Sequence, residues 1–229
     1  MAYSRSVHRS DFEQRIAGYL NSARRVSGKH FDTDIQNMVY QCAILLTGAA
    51  TETYLRLLLE DWMQRLSQSS LASALPHNAR AYITLQRLQT TFAKFGYTGD
   101  EKEVFASLHR EKDLWDFIKG SSAIPSYVNG KAVHDKSSYP SERNMTRLFS
   151  RIGIPNIIGL LSGQLKRDAS LMIEGFQSVR TAAAHAHPQP LTVLDVKRLL
   201  EESKQLVGAI DRIMHSHVSR HGGNLCWPR

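Results

Sequence analysis

Apolar residues recur at helical spacing along most of the chain, and no stretch of useful length alternates as a β-strand does. Near the start, Phe12, Ile16 and Leu20 lie one turn apart. Ser10 is a candidate N-cap for this first helix, with Glu13 as its capping-box partner. The segment Val26–His30 interrupts the pattern, so the first helix is expected to end there.

A much longer helix is predicted from about Thr33, its candidate cap, to Leu66. Its apolar residues cover most of the circumference, which is typical of the central helix of a bundle. Gly48 and the small residues around it would let another helix approach closely. Glu52 is an acid within this apolar run, and either an exposed position or a functional role explains it.

Helical patterns resume after a linker, over residues 79–95 and again over residues 100–119. Residues at about 120–141 are rich in Gly, Ser and Pro and predict one long loop. Loops of that length are usually functional or disordered. Aromatic and basic residues of this loop either contact RNA or simply face solvent: Tyr127, Tyr139, Lys131, His134 and Lys136. A short helix follows over residues 142–153.

From Leu161 onward the apolar spacing is regular and predicts one amphipathic helix that ends near His187, because Pro188 and Pro190 disfavour continuation. Thr192 caps a last helix, and Asp195 is placed to interact with its positive end. The tail from about residue 219 is expected to fray. These patterns together predict an all-α fold, a single-domain bundle of five to seven helices over residues 1–229.

Composition narrows the class of protein. Of the 229 residues 42% are hydrophobic, which is enough for a core, and the net charge of +8 favours a polyanionic partner such as nucleic acid. The two cysteines, Cys42 and Cys226, form no disulfide framework or metal motif. The N-terminus lacks the apolar segment of a signal peptide, and no apolar run approaches the roughly 18 residues of a membrane span. We therefore expect a soluble, cytoplasmic protein.

The stretch RTAAAHA, which begins at Arg180, carries the strongest candidate chemistry. A histidine can exchange a proton near neutral pH, and an arginine can bind phosphate with a fixed fork of donors. Together Arg180 and His185 could cleave a phosphodiester without a metal or cofactor. The alternative is structural: an arginine whose stem lies on the core, and a histidine favoured by the helix dipole.

VRTAAAHA resembles the Arg-x4–6-His motif of the HEPN superfamily. The apolar central helix with its acid Glu52 resembles the central HEPN helix. The segments on either side of the motif are similar to those of the RiboL-PSP and MAE-type HEPN families. The resemblance extends over most of residues 35–215, and it rests on the order of these three parts rather than on the motif alone.

This resemblance implies a helical bundle that forms a homodimer, with the two motifs at a shared cleft. It implies a metal-independent endoribonuclease of a prokaryotic toxin–antitoxin or antiviral system, in which the RNA 2′-hydroxyl is the nucleophile. Arg180 and His185 would be catalytic, with Glu52 and Thr181 as supporting residues. Thr181 stands where the superfamily commonly has Asn, Asp or His. His187 replaces a tyrosine that one toxin subgroup modifies, and could instead be a second proton carrier.

Basic and histidine residues elsewhere in the chain are further candidates for binding. Several basic residues form either candidate phosphate-binding patches or ordinary solvated faces: Lys166, Arg167, Lys197 and Arg198, and the pair Arg24 and Arg25. His217 and His221 are spaced for a metal, but the frayed tail argues against zinc there, and we expect no metal.

Three functions remain open. The first is an HEPN endoribonuclease with RNA as substrate and an antitoxin or defence protein as partner. The second is a non-catalytic HEPN module that binds RNA, a nucleotide or a protein. The third is a scaffolding bundle that binds an acidic partner through its positive charge.

Overall fold

The computed structural model describes residues 2–28, 30–69, 71–134, 140–185 and 190–229. Within them the protein is all-helical, as predicted, and the only extended pairing is a single antiparallel bridge between Leu71 and Ala123. The described α-helices are α1 (Val7–Val26), α2 (Thr33–Ser69), α3 (His77–Thr98), α4 (Glu101–Arg110), α5 (Lys112–Lys119), α6 (Gly130–His134), α7 (Glu142–Arg151), α8 (Ile157–Leu165), α9 (Ala169–Ala184) and α10 (Val193–Arg220).

Helix α2 is the centre of the bundle, because its apolar residues extend around most of its surface. Helices α1, α6, α9 and α10 pack directly on it. Trp62, Leu58 and Ile44 are almost fully buried along its length. By length and composition α2 could also span a membrane, but 56% of its most apolar window is buried inside the bundle, as in the core helix of a soluble protein.

There are more helices than the five to seven expected, because two predicted helices are each divided and the predicted loop contains α6. Residues 100–119 break at Glu111 into α4 and α5. The apolar stripe from Leu161 to Ala183 breaks at Lys166, whose φ of 54° ends α8. Asp168 then caps α9 by accepting from the N–H groups of Ser170 and Leu171. The apolar spacing survives the break because Leu165 and Ala169 both contact the core on either side of it.

Two predicted caps were misplaced. Helix α1 begins at Val7, and its N-cap is Ser6, whose hydroxyl accepts from the Arg9 N–H. Ser10 lies inside the helix. At the start of α2, Asp32 rather than Thr33 accepts from a backbone N–H, that of Asp34. In contrast, the capping box of Thr192 and Asp195 forms at α10 as predicted.

The segment expected to be one long loop over 120–141 contains α6 and packs against α2. Gly130 lies so close to α2 that a Cβ there would come within 2.4 Å of the Glu60 backbone. Ile124, Val128 and Val133 are buried. Tyr127 packs edge-on to Phe117, while Lys131 is exposed. Tyr139 and Lys136 lie outside the described residues.

The C-terminal tail is not frayed. Cys226 and Trp227 are almost fully buried, and the Trp227 indole N–H donates to the Ser4 carbonyl at 3.0 Å. The Pro228 carbonyl accepts from the Val7 N–H. The sequence patterns missed this because a single tryptophan after two glycines carries no periodic signal.

The carboxylate of Asp211 joins the N-terminus, α2 and α10. It is fully buried on α10 and accepts from the hydroxyls of Ser6, Tyr3 at 2.5 Å and Tyr54 at 3.0 Å. The Ser6 N–H is a further donor to it. Burial, followed by the bond to Asp211, raises the pKa of Tyr3 to about 12, so this donor keeps its proton at all ordinary pH.

We expect Asp211→Ala to lower the free energy of unfolding by about 3–5 kcal/mol, because Tyr54 and the Ser6 N–H would be left buried without their acceptor. Urea unfolding measures this loss. Asp61→Ala, which removes a partly exposed carboxylate bound to His8, serves as the control and should cost about 1 kcal/mol or less. Equal losses in the two variants would contradict the central role of Asp211.

A second buried polar group is His217, whose ring packs edge-on to Trp62 and beside His221, at centroid distances of 5.4 and 4.6 Å. Burial, with the neighbouring His221, lowers the pKa of His217 to about 4, against the bond to the Ile152 backbone. Burial also lowers the pKa of His221, which ends α10 instead of lying in a frayed segment.

The lowered pKa of His217 predicts that the folded protein loses stability in acid. Since the unfolded chain binds a proton at His217 below about pH 6.5 and the folded chain only below about pH 4, stability is complete above pH 6.5 and is lost as the pH falls toward 4. The loss attributable to His217 is about 3 kcal/mol. Urea unfolding at pH 7.5 and pH 4.5 should show a smaller difference in His217→Gln than in wild type. His109→Gln, at an exposed histidine, should leave the difference unchanged.

Candidate functional site

The motif arginine lies where α9 crosses the central helix. Arg180 is on the last turns of α9, and its side chain passes directly over Gly48 of α2. A Cβ at Gly48 would come within 2.8 Å of Arg180 Nε and 3.0 Å of Cδ. A side chain at position 48 would force the arginine to shift, which accounts for the small residue that the sequence places in the middle of an apolar helix.

One turn further along α2, Glu52 forms an ion pair with the same arginine. Arg180 Nη2 and Glu52 Oε1 are 3.8 Å apart, and the two side chains are 25% and 27% exposed. The distance is that of a charge contact rather than a good hydrogen bond. Burial raises the pKa of Glu52, and the positive charge of Arg180 opposes that rise. Glu52 is therefore not the simple exposed acid that composition alone would favour.

His185 stands at the end of α9. The helix ends at Ala184, three residues before the predicted end, and His185 is extended at φ −93° and ψ 161°. Pro188 explains the early end, because in a continued helix it could not donate to the Ala184 carbonyl. The imidazole is exposed and so is open to a solute. His187 lies outside the described residues.

Thr181 follows the arginine but faces a different region. It is exposed and lines an open groove between α7 and α9, together with Gln177, Glu174, Glu142 and Arg143. The carboxylates in this groove would repel a phosphate, although Arg143 would attract it. Thr181 thus lines this groove, whereas Arg180 contacts Gly48 and Glu52.

The predicted phosphate-binding residues lie at the start of α9 and α10. Arg167 and Arg198 line one shallow groove, but both pair with Glu202, at 3.1 and 3.9 Å. Their positive charge is therefore partly neutralised. Lys166 and Lys197 are exposed nearby, and Arg24 and Arg25 are exposed at the end of α1. Arg167 and Arg198 thus lie in a groove different from the Gly48–Arg180–Glu52 contact.

No protein-family model matches this chain, and no curated protein or solved structure matches it. The site must therefore be judged on its own geometry.

The structure brings Arg180 to Gly48 and Glu52, from which it is far apart in sequence. It provides a partly exposed guanidinium beside a carboxylate, and an exposed imidazole at the end of the same helix as the arginine. Among the described residues, no group of three or more His, Cys, Asp or Glu side chains is arranged to hold a metal ion. Sequence patterns identified Gly48 and Arg180 separately but had no means of pairing them.

The crossing at Gly48 makes a testable prediction. Gly48→Ala should displace Arg180 from Glu52 and so raise the pKa of Glu52 further, because the nearby positive charge that lowers it is withdrawn. A ¹³C NMR titration of side-chain carboxyl groups measures this shift. The fold should persist, since alanine favours a helix interior over glycine by about 1 kcal/mol.

The matched control is Gly163→Ala, since a Cβ at this exposed glycine of α8 meets no atom within 4 Å. It should leave the pKa of Glu52 where it is. An unchanged pKa of Glu52 in Gly48→Ala would show that the contact of Arg180 with Glu52 does not depend on the glycine.

Proposed function

We propose that this protein is a metal-independent endoribonuclease of the HEPN type, acting in the cytoplasm of a prokaryote in a toxin–antitoxin or antiviral system. The observation that carries the proposal is the contact of Arg180 with both Gly48 and Glu52. It joins the candidate motif on α9 to the acid of the central helix, two of the parts on which the resemblance to HEPN proteins rests.

The chemistry follows from the two motif side chains. The 2′-hydroxyl oxygen of RNA attacks the adjacent phosphorus, and the 5′-oxygen leaves. The products are a 2′,3′-cyclic phosphate and a 5′-hydroxyl. His185 would take the proton from the 2′-hydroxyl or supply one to the leaving oxygen, and Arg180 would stabilise the negative charge on the phosphorane oxygens. An exposed imidazole can reach such a substrate without rearrangement of the bundle.

One chain offers only one motif histidine, whereas the reaction requires both a base and an acid. A homodimer in which two motifs face one cleft would supply both. The exposed side of α2 supports such a dimer. Apolar side chains recur there one turn apart, a stripe formed by Ile35, Met38, Cys42, Leu46 and Ala49. Ala49 is one turn from Glu52, so a second copy on this α2 stripe would lie beside the site.

The pairing of Arg180 with Glu52 also favours the alternative, a non-catalytic HEPN module. In that case the ion pair would lock α9 onto α2, and the bundle would bind RNA, a nucleotide or a protein without cleaving it. The two functions make opposite predictions about turnover.

The deciding experiment is cleavage of total tRNA and of a structured RNA in the presence of EDTA. Wild type should cut and leave cyclic phosphate ends. His185→Ala should reduce the rate by about 10²–10⁴ and Arg180→Ala by about 10²–10³. Circular dichroism and thermal unfolding establish that the variants are folded.

His109→Ala is the matched control, since it removes an exposed imidazole from the last turn of another helix, and it should cut at the wild-type rate. Binding of the RNA without cleavage by any of the proteins would support the non-catalytic module. Equal cleavage by all of them would place the activity outside Arg180 and His185.

A further inference from the structure

Two histidines lie one turn apart at the end of α10, His217 and His221. The His221 N–H donates to the His217 carbonyl at 3.1 Å, so the helical turn between them is closed. Side chains four residues apart lie on the same face of a helix and can reach one ligand. Fraying would disable such a pair, but the tail behind it is packed through Cys226 and Trp227.

The two imidazole rings have a separation that suits a shared metal ion. Their centres are 4.6 Å apart and their planes are inclined by 47°. A zinc–nitrogen distance of about 2 Å and a tetrahedral angle at the metal place the centres of two bound rings roughly 5 Å apart. The folded chain therefore holds the rings close to the separation that chelation requires.

One ring nitrogen of His217 is buried without a partner among the described residues. His217 is 8% exposed, and its Nε2 accepts and donates no hydrogen bond there. Buried polar atoms nearly always have a partner, so an exception marks a position that favours a ligand. His221 is only partly buried and is followed by the partly buried Gly222 and Gly223, which leaves the pair a side open to solvent.

The backbone holds both rings in orientations that suit metal binding. His217 bonds to the backbone of Ile152, and His221 bonds to the backbone of Ala74. A ring nitrogen that donates to a carbonyl leaves the other nitrogen with its lone pair, as in most histidines that bind metals. Burial lowers the pKa of both histidines, so a metal ion need not displace a proton from either ring at neutral pH.

We propose that His217 and His221 form a binding site for a divalent transition-metal ion of the zinc type, with water in the remaining coordination positions. Imidazole nitrogen suits such ions, whereas Mg²⁺ and Ca²⁺ prefer oxygen. Among the described residues no third His, Cys, Asp or Glu completes the set. Structural zinc sites have four protein ligands, so the ion at this site is exchangeable.

The bound ion would stabilise a junction of several elements. His217 packs edge-on to Trp62 of α2, and the Trp62 indole N–H donates to the His221 carbonyl at 3.3 Å. The two backbone bonds reach the end of α7 and the turn before α3. Trp62 is ten residues from Glu52, or about 15 Å along α2. The site is therefore separate from the proposed ribonuclease site and does not depend on that proposal.

Isothermal titration of the metal-free, full-length chain with zinc chloride at pH 7.5 tests the proposal. Wild type should bind zinc at one site that needs both histidines. His217→Gln and His221→Gln should each weaken this binding by at least about tenfold. His221 is partly exposed, so its variant should fold even if His217→Gln does not, and circular dichroism checks both.

Thermal unfolding is the second measurement. Saturating zinc should raise the melting temperature of wild type and leave that of His221→Gln unchanged, because an ion that binds only the folded state stabilises it. The controls are His109→Gln, which removes an exposed imidazole, and Cys42→Ser, which removes an exposed thiol. Both should bind zinc as wild type does.

Two outcomes would overturn the proposal. Equal zinc binding by wild type and by both histidine variants would assign the ion to other groups of the chain. Loss of binding in His221→Gln but not in a folded His217→Gln would show an adventitious surface ion, because the buried ring would then take no part.

Discussion

The fold depends on covering one helix on nearly all sides. Helix α2 has apolar residues around most of its circumference, and water is excluded from it only if several other helices pack on it at once. Helices α1, α6, α9 and α10 do so. Helix α6 packs on α2 although the composition of its segment predicts a loop. It also brings α9, with the candidate motif, across the middle of α2.

The covering helices are fixed in place by polar groups as well as by apolar burial. Asp211 on α10 accepts hydrogen bonds from the N-terminal segment and from α2. Trp227 in the tail donates a hydrogen bond to the Ser4 carbonyl. The N-terminal segment is thus fastened to α10, and the C-terminal tail is fastened to the N-terminal segment. Buried polar contacts of this kind specify one arrangement, because each donor is costly to leave without its acceptor.

The candidate site is a consequence of the same packing. Gly48 gives α2 a gap, Arg180 occupies it, and Glu52 one turn away balances its charge while burial raises its own pKa. The helix ends just after, and His185 is left exposed. The arrangement places an imidazole and a guanidinium near the end of one helix. The exposed α2 stripe lies on the central helix, one turn from Glu52.

The sequence by itself determined the elements whose causes are local. Apolar periodicity predicts the all-helical class and the extent of α2, and Thr192 with Asp195 predicts the start of α10, because helix periods and caps act within a few residues. Local chemistry also singled out Arg180 and His185. Only the tertiary structure decided that Glu52 and Gly48 meet Arg180, that Asp211 is buried among tyrosines, that the tail is packed and that α3 and α4 expose Phe92, Tyr97 and Phe105. Each of these depends on which distant helix covers a given face, and a one-dimensional pattern holds no information about that pairing.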